Sequence, residues 1–221
     1  MAGRTGQGRT SATTSAASFI PPHPTLAACR EAVSACRGCE LYRHATQGVL
    51  GEGPSHARIM LVGEQPGNDE DLAGRPFVGP AGRLLDRALA EAGLDRRATY
   101  VTNAVKHFKW TPRGKRRIHE KPTAREVEAC RPWFQTELDL VKPDLVVALG
   151  ATAAQSLLGP AVRVTKERGH VLDAPLGARV LLTVHPSSLL RITDDTERDQ
   201  AMERFVADLR VAARTLEGRG R

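Results

Sequence analysis

The 221-residue sequence has no run near the roughly 20 consecutive apolar residues a membrane-crossing helix needs, the closest being the short segment 180–184. A membrane protein is excluded on that reading, and a soluble protein is expected. There are only four cysteines, too few for a secreted disulfide scaffold of this length, which points to a reduced, cytoplasmic setting. No GxxxxGK[ST] element occurs and no GxGxxG follows a strand pattern, so a phosphate-cradling nucleotide site has no support. Acidic residues are missing from 1–24, a stretch rich in Gly, Ala, Ser and Thr that reads as a disordered tail ahead of one domain over 25–215.

What is present is a net charge of +7, which favours an anionic partner, nucleic acid first. Hydrophobic content of 41% is enough to build one sizeable core. Apolar runs at 59–63, 100–105, 145–149 and 180–184 read as buried strands. Helical patterns precede them at 25–34, lie between them at 82–92, 127–141 and 151–158, and follow them over 196–213; the one at 127–141 is the third in order. Thr123 and Glu126 form a capping box before the third of these, and Pro132 should kink it. Unbroken apolar strands alternating with helices imply an α/β fold, a three-layer αβα sandwich around a mostly parallel four-stranded sheet.

Ligands of such sheets bind beyond the carboxyl ends of the strands. Here those ends carry Gly63-Glu64-Gln65-Pro66-Gly67, Thr102-Asn103-Ala104-Val105-Lys106 and His185-Pro186-Ser187-Ser188. A carboxylate, an amide and an imidazole can therefore meet at one mouth. Beside them, 106–117 holds six cations and no acid: Lys106, Lys109, Arg113, Lys115, Arg116 and Arg117, interleaved with Phe108 and Trp110. That is a candidate phosphate-binding patch with salt-sensitive affinity.

GEQPGNDEDLAGRPFVGPAGRLL, the TNAVK strand end, CRPWF and VHPSSLLR together resemble the uracil-DNA glycosylase superfamily, in particular its cluster-containing family 4. The stretch Lys115-Arg116-Arg117-Ile118-His119 departs from family 4 and resembles the UdgX subclass, which becomes covalently joined to uracil-containing DNA through the loop histidine. The resemblance implies a base-excision repair enzyme acting as a monomer on uracil-containing DNA, with single strands favoured because an unpaired base is cheaper to extrude. A cytoplasmic, nucleoid-associated protein is expected.

The same resemblance assigns roles. Phe77 stacks on the flipped uracil and Gln65 lines its pocket. Asn103 reads the base edge, since a fixed amide matches uracil N3–H and O4 and mismatches cytosine. His185 donates to the departing base and Glu64 supplies negative charge near C1′; Glu64 alternatively activates water or takes a proton from His119. A neutral imidazole at His119 can attack C1′, leaving an N-glycosyl imidazolium with no good route to hydrolysis. Lys106, Lys109, Lys115, Arg116, Arg117, Ser187 and Ser188 contact DNA, and Leu190 or Arg191 fills the vacated stack. Two other readings stand beside this one: a multi-turnover family 4 glycosylase, and a non-catalytic uracil-DNA binding protein.

The resemblance further implies a [4Fe-4S] cluster on Cys36, Cys39, His107 and Cys130, with imidazole in place of one family cysteine. Cys29 in place of His107 is an alternative ligand, and zinc an alternative metal.

Overall fold

A computed structural model describes residues 15–174 and 178–218. In chain order the elements are α1 (Leu26–Val33), β1 (Ile59–Gly63), α2 (Asn68–Ala73), α3 (Pro80–Glu91), β2 (Thr99–Asn103), β3 (Trp110–Arg113), β4 (Arg116–His119) and α4 (Ala124–Val141). They continue with β5 (Leu145–Leu149), α5 (Ala151–Leu158), α6 (Val164–Glu167), β6 (Val171–Asp173), β7 (Arg179–Thr183), α7 (Pro186–Leu189) and α8 (Asp195–Glu217). Short 3-10 turns add to these at Ala16–Phe19, Glu40–Arg43 and Arg96–Ala98.

The αβα architecture is the expected one, but the sheet has five strands rather than four. Its order is β2-β1-β5-β7-β6; β6 runs antiparallel to β7 and the other pairs are parallel. Strand alternation explains why the parallel strands read as unbroken apolar runs. Ile59, Leu61, Val147, Leu149 and Leu181 face α3 and α8, burying against Leu85, Leu89, Phe205 and Leu209. Met60, Val62, Val146, Ala148 and Leu182 face the opposite way, onto Phe134 and Leu138 of α4 and Leu157 of α5.

The capping box is formed. Thr123 Oγ1 accepts from Glu126 N, and Glu126 accepts from Thr123 N at 2.7 Å. Helix α4 runs through Pro132, so the proline does not end it.

Two expectations need correction. Of the tail expected over 1–24, residues 1–14 lie outside the described residues, but 15–24 are built into the fold: Ser15 caps the turn at Ala16–Phe19 and Ala16 is 1% exposed. The basic stretch around KRRIH is not a loop but a β-hairpin, with Trp110 opposite His119 and Arg113 opposite Arg116 across a Gly114-Lys115 turn. Gly114 takes φ +59°, the left-handed conformation such a two-residue turn requires. Among the described residues no helix is long and apolar enough to cross a membrane.

Candidate active site

The carboxyl ends of β1, β2, β5 and β7 open into a cleft of about 510 Å³, into which the β3–β4 hairpin brings His119. Glu64, Gln65, Phe77, Asn103, His119 and His185 all line it. Glu64, Gln65, Asn103 and His185 arrive from the strand ends, as the strand-end argument anticipates, while Phe77 comes from the loop before α3 and His119 from the hairpin.

Glu64 leaves β1 with its carboxylate held on two sides. His119 Nε2 lies 3.3 Å from Oε1, and the Thr152 hydroxyl, at the start of α5, donates to Oε2. Burial acts to raise its pKa, but the hydrogen bonds from His119 and Thr152, with the neighbouring imidazoles, outweigh it and hold the carboxyl below its ordinary value. Glu64 is therefore an anion at neutral pH. Thr152 was not anticipated; its place one residue after the Gly150-Ala151 strand end was the available signal.

His185 is pushed down to about 4, chiefly by burial, with Glu64 pulling the other way and His119 and Arg191 adding to the depression. The ring is neutral at physiological pH. Its Nδ1 accepts from Ser187 N at 3.2 Å and lies 2.8 Å from Ser187 Oγ. With Nδ1 an acceptor, the proton sits on Nε2, which makes the ring a neutral hydrogen-bond donor.

Phe77 adopts φ +56°, an unusual conformation for a bulky residue. Its loop is fixed by Glu70, which accepts from Gly67 N at 3.0 Å and Gly79 N at 2.9 Å. Gly82 gives the strained carbonyl room, since a Cβ there would stand 1.7 Å from Phe77 O. The Phe77 ring stacks beside His185, with centroids 6.0 Å apart. Gly63 runs beneath both Phe77 and Asn103: a Cβ on it would lie 2.3 Å from Asn103 Oδ1 and 2.7 Å from Phe77 Cζ.

Other assigned residues sit differently from expectation. Gln65 lines the cleft, but its side-chain amide is occupied in closing the hairpin. Nε2 donates to the carbonyls of Lys109 and Glu120, at 3.1 and 2.9 Å, and Oε1 accepts from Lys109 N. Lys106, expected on DNA, is 0% exposed and ion-paired with Glu137, because burial of its alkyl chain under the sheet edge requires a buried anion for its ammonium. Lys109 is likewise turned inward, 3.0 Å from Glu126 and 3.6 Å from Glu120.

Arg117 also braces rather than projects. It lies 2.6 Å from the buried Asp71 carboxylate and 2.8 Å from Asn68 Oδ1, both on α2, and packs its guanidinium over Phe108 and Trp110. Lys115, Arg116, Leu190 and Arg191 are exposed, with Ser187 and Ser188 half-buried at the rim.

Away from the cleft, Cys29, Cys36, Cys39 and Cys130 are all free and buried. Cys130 is pushed up to about 12 by burial, despite the Lys106 charge and backbone N–H, and the thiols of Cys39 and Cys36 raise it further. Cys29, in the same buried cluster, is raised by burial and by Glu137. His107 is buried beside Cys36 at a small cavity of about 250 Å³. Among the described residues no three such side chains are drawn together as around a single metal ion.

The strand ends of this α/β sandwich thus present an anionic carboxylate, a neutral imidazole donor and an amide to one cleft, with an aromatic ring beside them, the equipment of an enzyme site. Residues 50–210 match the profile of the Uracil DNA glycosylase superfamily. The chain is 43% identical over 162 residues to the type-4 uracil-DNA glycosylase of Thermotoga maritima, covering 73% of this chain and 81% of that one. It is 35% identical over 182 residues to the type-4 enzyme of Pyrobaculum aerophilum, covering 78% and 89%. A type-5 uracil-DNA glycosylase from the latter organism is 33% identical over 183 residues, covering 75% and 77%. The chain belongs to the uracil-DNA glycosylase superfamily, and it is an enzyme of that class.

Proposed function

We propose that this enzyme cleaves the N-glycosidic bond of uracil in DNA and then captures the sugar through His119. The observation that carries the reading is the 3.3 Å contact between His119 Nε2 and Glu64 Oε1 at the mouth of the cleft. A flipped uracil stacks on Phe77, Asn103 reads its N3–H and O4, and His185 Nε2–H faces the oxygen on which negative charge develops as the bond breaks. The base leaves with the glycosidic electron pair, and the Glu64 carboxylate stabilises the electron-poor C1′. His119 Nε2 bonds C1′ while its proton passes to Glu64. The product is an N-glycosyl imidazole, which lacks an expelling group, so the enzyme turns over once.

A second reading has support of its own. The relatives above are named type-4 glycosylases, and that favours ordinary turnover, in which water adds its hydroxyl to C1′ and gives its proton to Glu64. One experiment separates the two. The protein is incubated with a labelled single strand containing one uracil, heated in SDS and run on a denaturing gel beside a thymine control. A heat-stable, uracil-dependent shifted band that His119→Ser abolishes, while free uracil still appears, is the expected result. Free abasic product with no shifted band in the wild type refutes capture and leaves turnover.

The substrate in this reading is single-stranded DNA, held at the exposed Lys115, Arg116 and Arg191 by a monomer on the nucleoid DNA of the cytoplasm. Leu190, 46% exposed beside Arg191, fills the vacated stack. A [4Fe-4S] cluster fits Cys36, Cys39, His107 and Cys130: the three thiols are buried, unbridged and close enough that Cys36 raises Cys39 and both raise Cys130, and burial keeps the His107 ring neutral, with a pKa of about 4. Trp133, in the same buried group, has an indole N–H with no acceptor among the described residues, and cluster chemistry offers sulfur. The cluster's contribution is structural, pinning the segment after α1 to the end of β2 and to α4. The purified protein is expected to absorb near 400 nm and to lose iron in His107→Ala; unchanged iron content refutes this ligand set.

A further inference from the structure

Lys106 takes no part in the chemistry above, yet it is among the largest fully buried side chains described. It lies three residues beyond Asn103, where the edge strand β2 leaves the sheet. Its ammonium pairs with Glu137 of α4, both side chains being 0% exposed, and donates to Thr102 Oγ1 at 2.8 Å and to the backbone carbonyl of Asn103 at 2.6 Å. Glu137 extends the same network. It accepts from Thr102 Oγ1, from the Tyr100 hydroxyl at 3.0 Å and from Gly51 N at 2.7 Å.

Two charges withdrawn from water are a poor source of stability, since an apolar pair of similar volume does as well or better. A buried pair does fix direction. Each donor of the Lys106 ammonium points at one partner, and one of those partners is the carbonyl of the residue whose side chain reaches the cleft. Gly63 closes in from the other side, so the Asn103 amide is held between a glycine that leaves it no slack and a cation that grips its main chain. The geometry points to the Lys106–Glu137 pair as a positioning device that aims the Asn103 amide at the base.

This rests on the reading of Asn103 as the uracil reader. The test is a double-mutant cycle. Lys106→Met and Glu137→Gln are made together, so that no lone charge is left buried, in the wild type and in an Asn103→Ala background. Single-turnover uracil release is measured with enzyme in excess. In the wild-type background the paired change is expected to lower the single-turnover rate by roughly 10- to 100-fold, the scale of a small misplacement of a reacting group, with the loss mainly in the rate at saturating enzyme because the DNA contacts lie elsewhere. In the Asn103→Ala background it is expected to cost less than about twofold, since the aimed group is already gone.

Equal losses in both backgrounds overturn the inference and make the pair a general element of the fold; so does no loss in either. A wild type that releases no uracil removes the underlying reading instead, which this control detects separately. If the double change gives no soluble protein, Thr102→Val removes the middle of the network while sparing the pair, and it is judged by the same two comparisons.

Discussion

Replacing Arg117 by alanine separates the two roles open to a cation in the KRRIH segment. The guanidinium is 18% exposed and its partner carboxylate, Asp71, 0%. Breaking a buried pair from one side typically costs about 3–5 kcal/mol. Asp71 keeps the Thr46 N–H, at 2.9 and 3.1 Å to its two oxygens, which reduces that figure. The contacts with the Phe108 and Trp110 rings, 5.4 and 5.5 Å from the guanidinium carbon to the centroids, add about 0.5–1 kcal/mol each. A loss of about 2–4 kcal/mol remains, or ~5–15 °C in Tm for a protein of this size.

Without the brace to α2, His119 loses its fixed approach to Glu64, so adduct yield should fall while uracil release persists. Arg117→Lys, which keeps the charge but not the planar fork, should recover less than half of the lost Tm. Thermal unfolding and the SDS gel read both effects. An unchanged Tm, together with a salt slope for single-strand binding shallower by about 0.7, would mean that Arg117 holds a phosphate, and the brace would be wrong.

The depressed values at Glu64 and His185 set the acid limb of the reaction. The proposed mechanism uses Glu64 as a carboxylate, held below its ordinary value, and His185 as a neutral imidazole, pushed down to about 4, so single-turnover uracil release should be level from pH 8 to about 5; a limb centred near 6.5 would contradict it. The same depression has a stability sign. The unfolded chain binds the His185 proton first, so Tm should fall as pH drops from 6.5 through about 4, and a Tm that rises over that interval would be inconsistent. Gly63→Ala drives a methyl into both Asn103 and Phe77, and is expected to lower the single-turnover rate of uracil release at least 100-fold for ~1–3 kcal/mol of stability; near-normal excision would show that neither group needs its present place.

The four long strands were legible because parallel strands covered on both faces cannot hide polar residues, and the strand-end rule then brought Glu64, Asn103 and His185 together. Strand β6 escaped notice because three residues at an antiparallel edge, ending in Asp173, carry almost no pattern. The hairpin escaped because Pro112 and four basic residues mask two four-residue strands. Lys106 shows the limit most clearly. Within its own stretch it is one of six cations without an acid, and its true partner stands 31 residues further on in α4. Charge density along the chain cannot separate a lysine that meets solvent from one that meets Glu137. Arg117 and Asp71, 46 residues apart, carry the same lesson.

The amide of Gln65 grips the chain where the hairpin leaves and where it returns, and Glu120 N adds a bond to the Lys109 carbonyl at 3.0 Å. Residues 110–119 thus form a closed excursion whose two feet already touch. It sends side-chain bonds outward to α2, through Arg117, and to the His44 carbonyl, through Trp110. In the proposed mechanism the nucleophile is therefore borne on a cassette, fastened to α2 by Arg117, that could present a different side chain at the mouth of the cleft. On that proposal, permanence of attachment is a property separable from the recognition of the base.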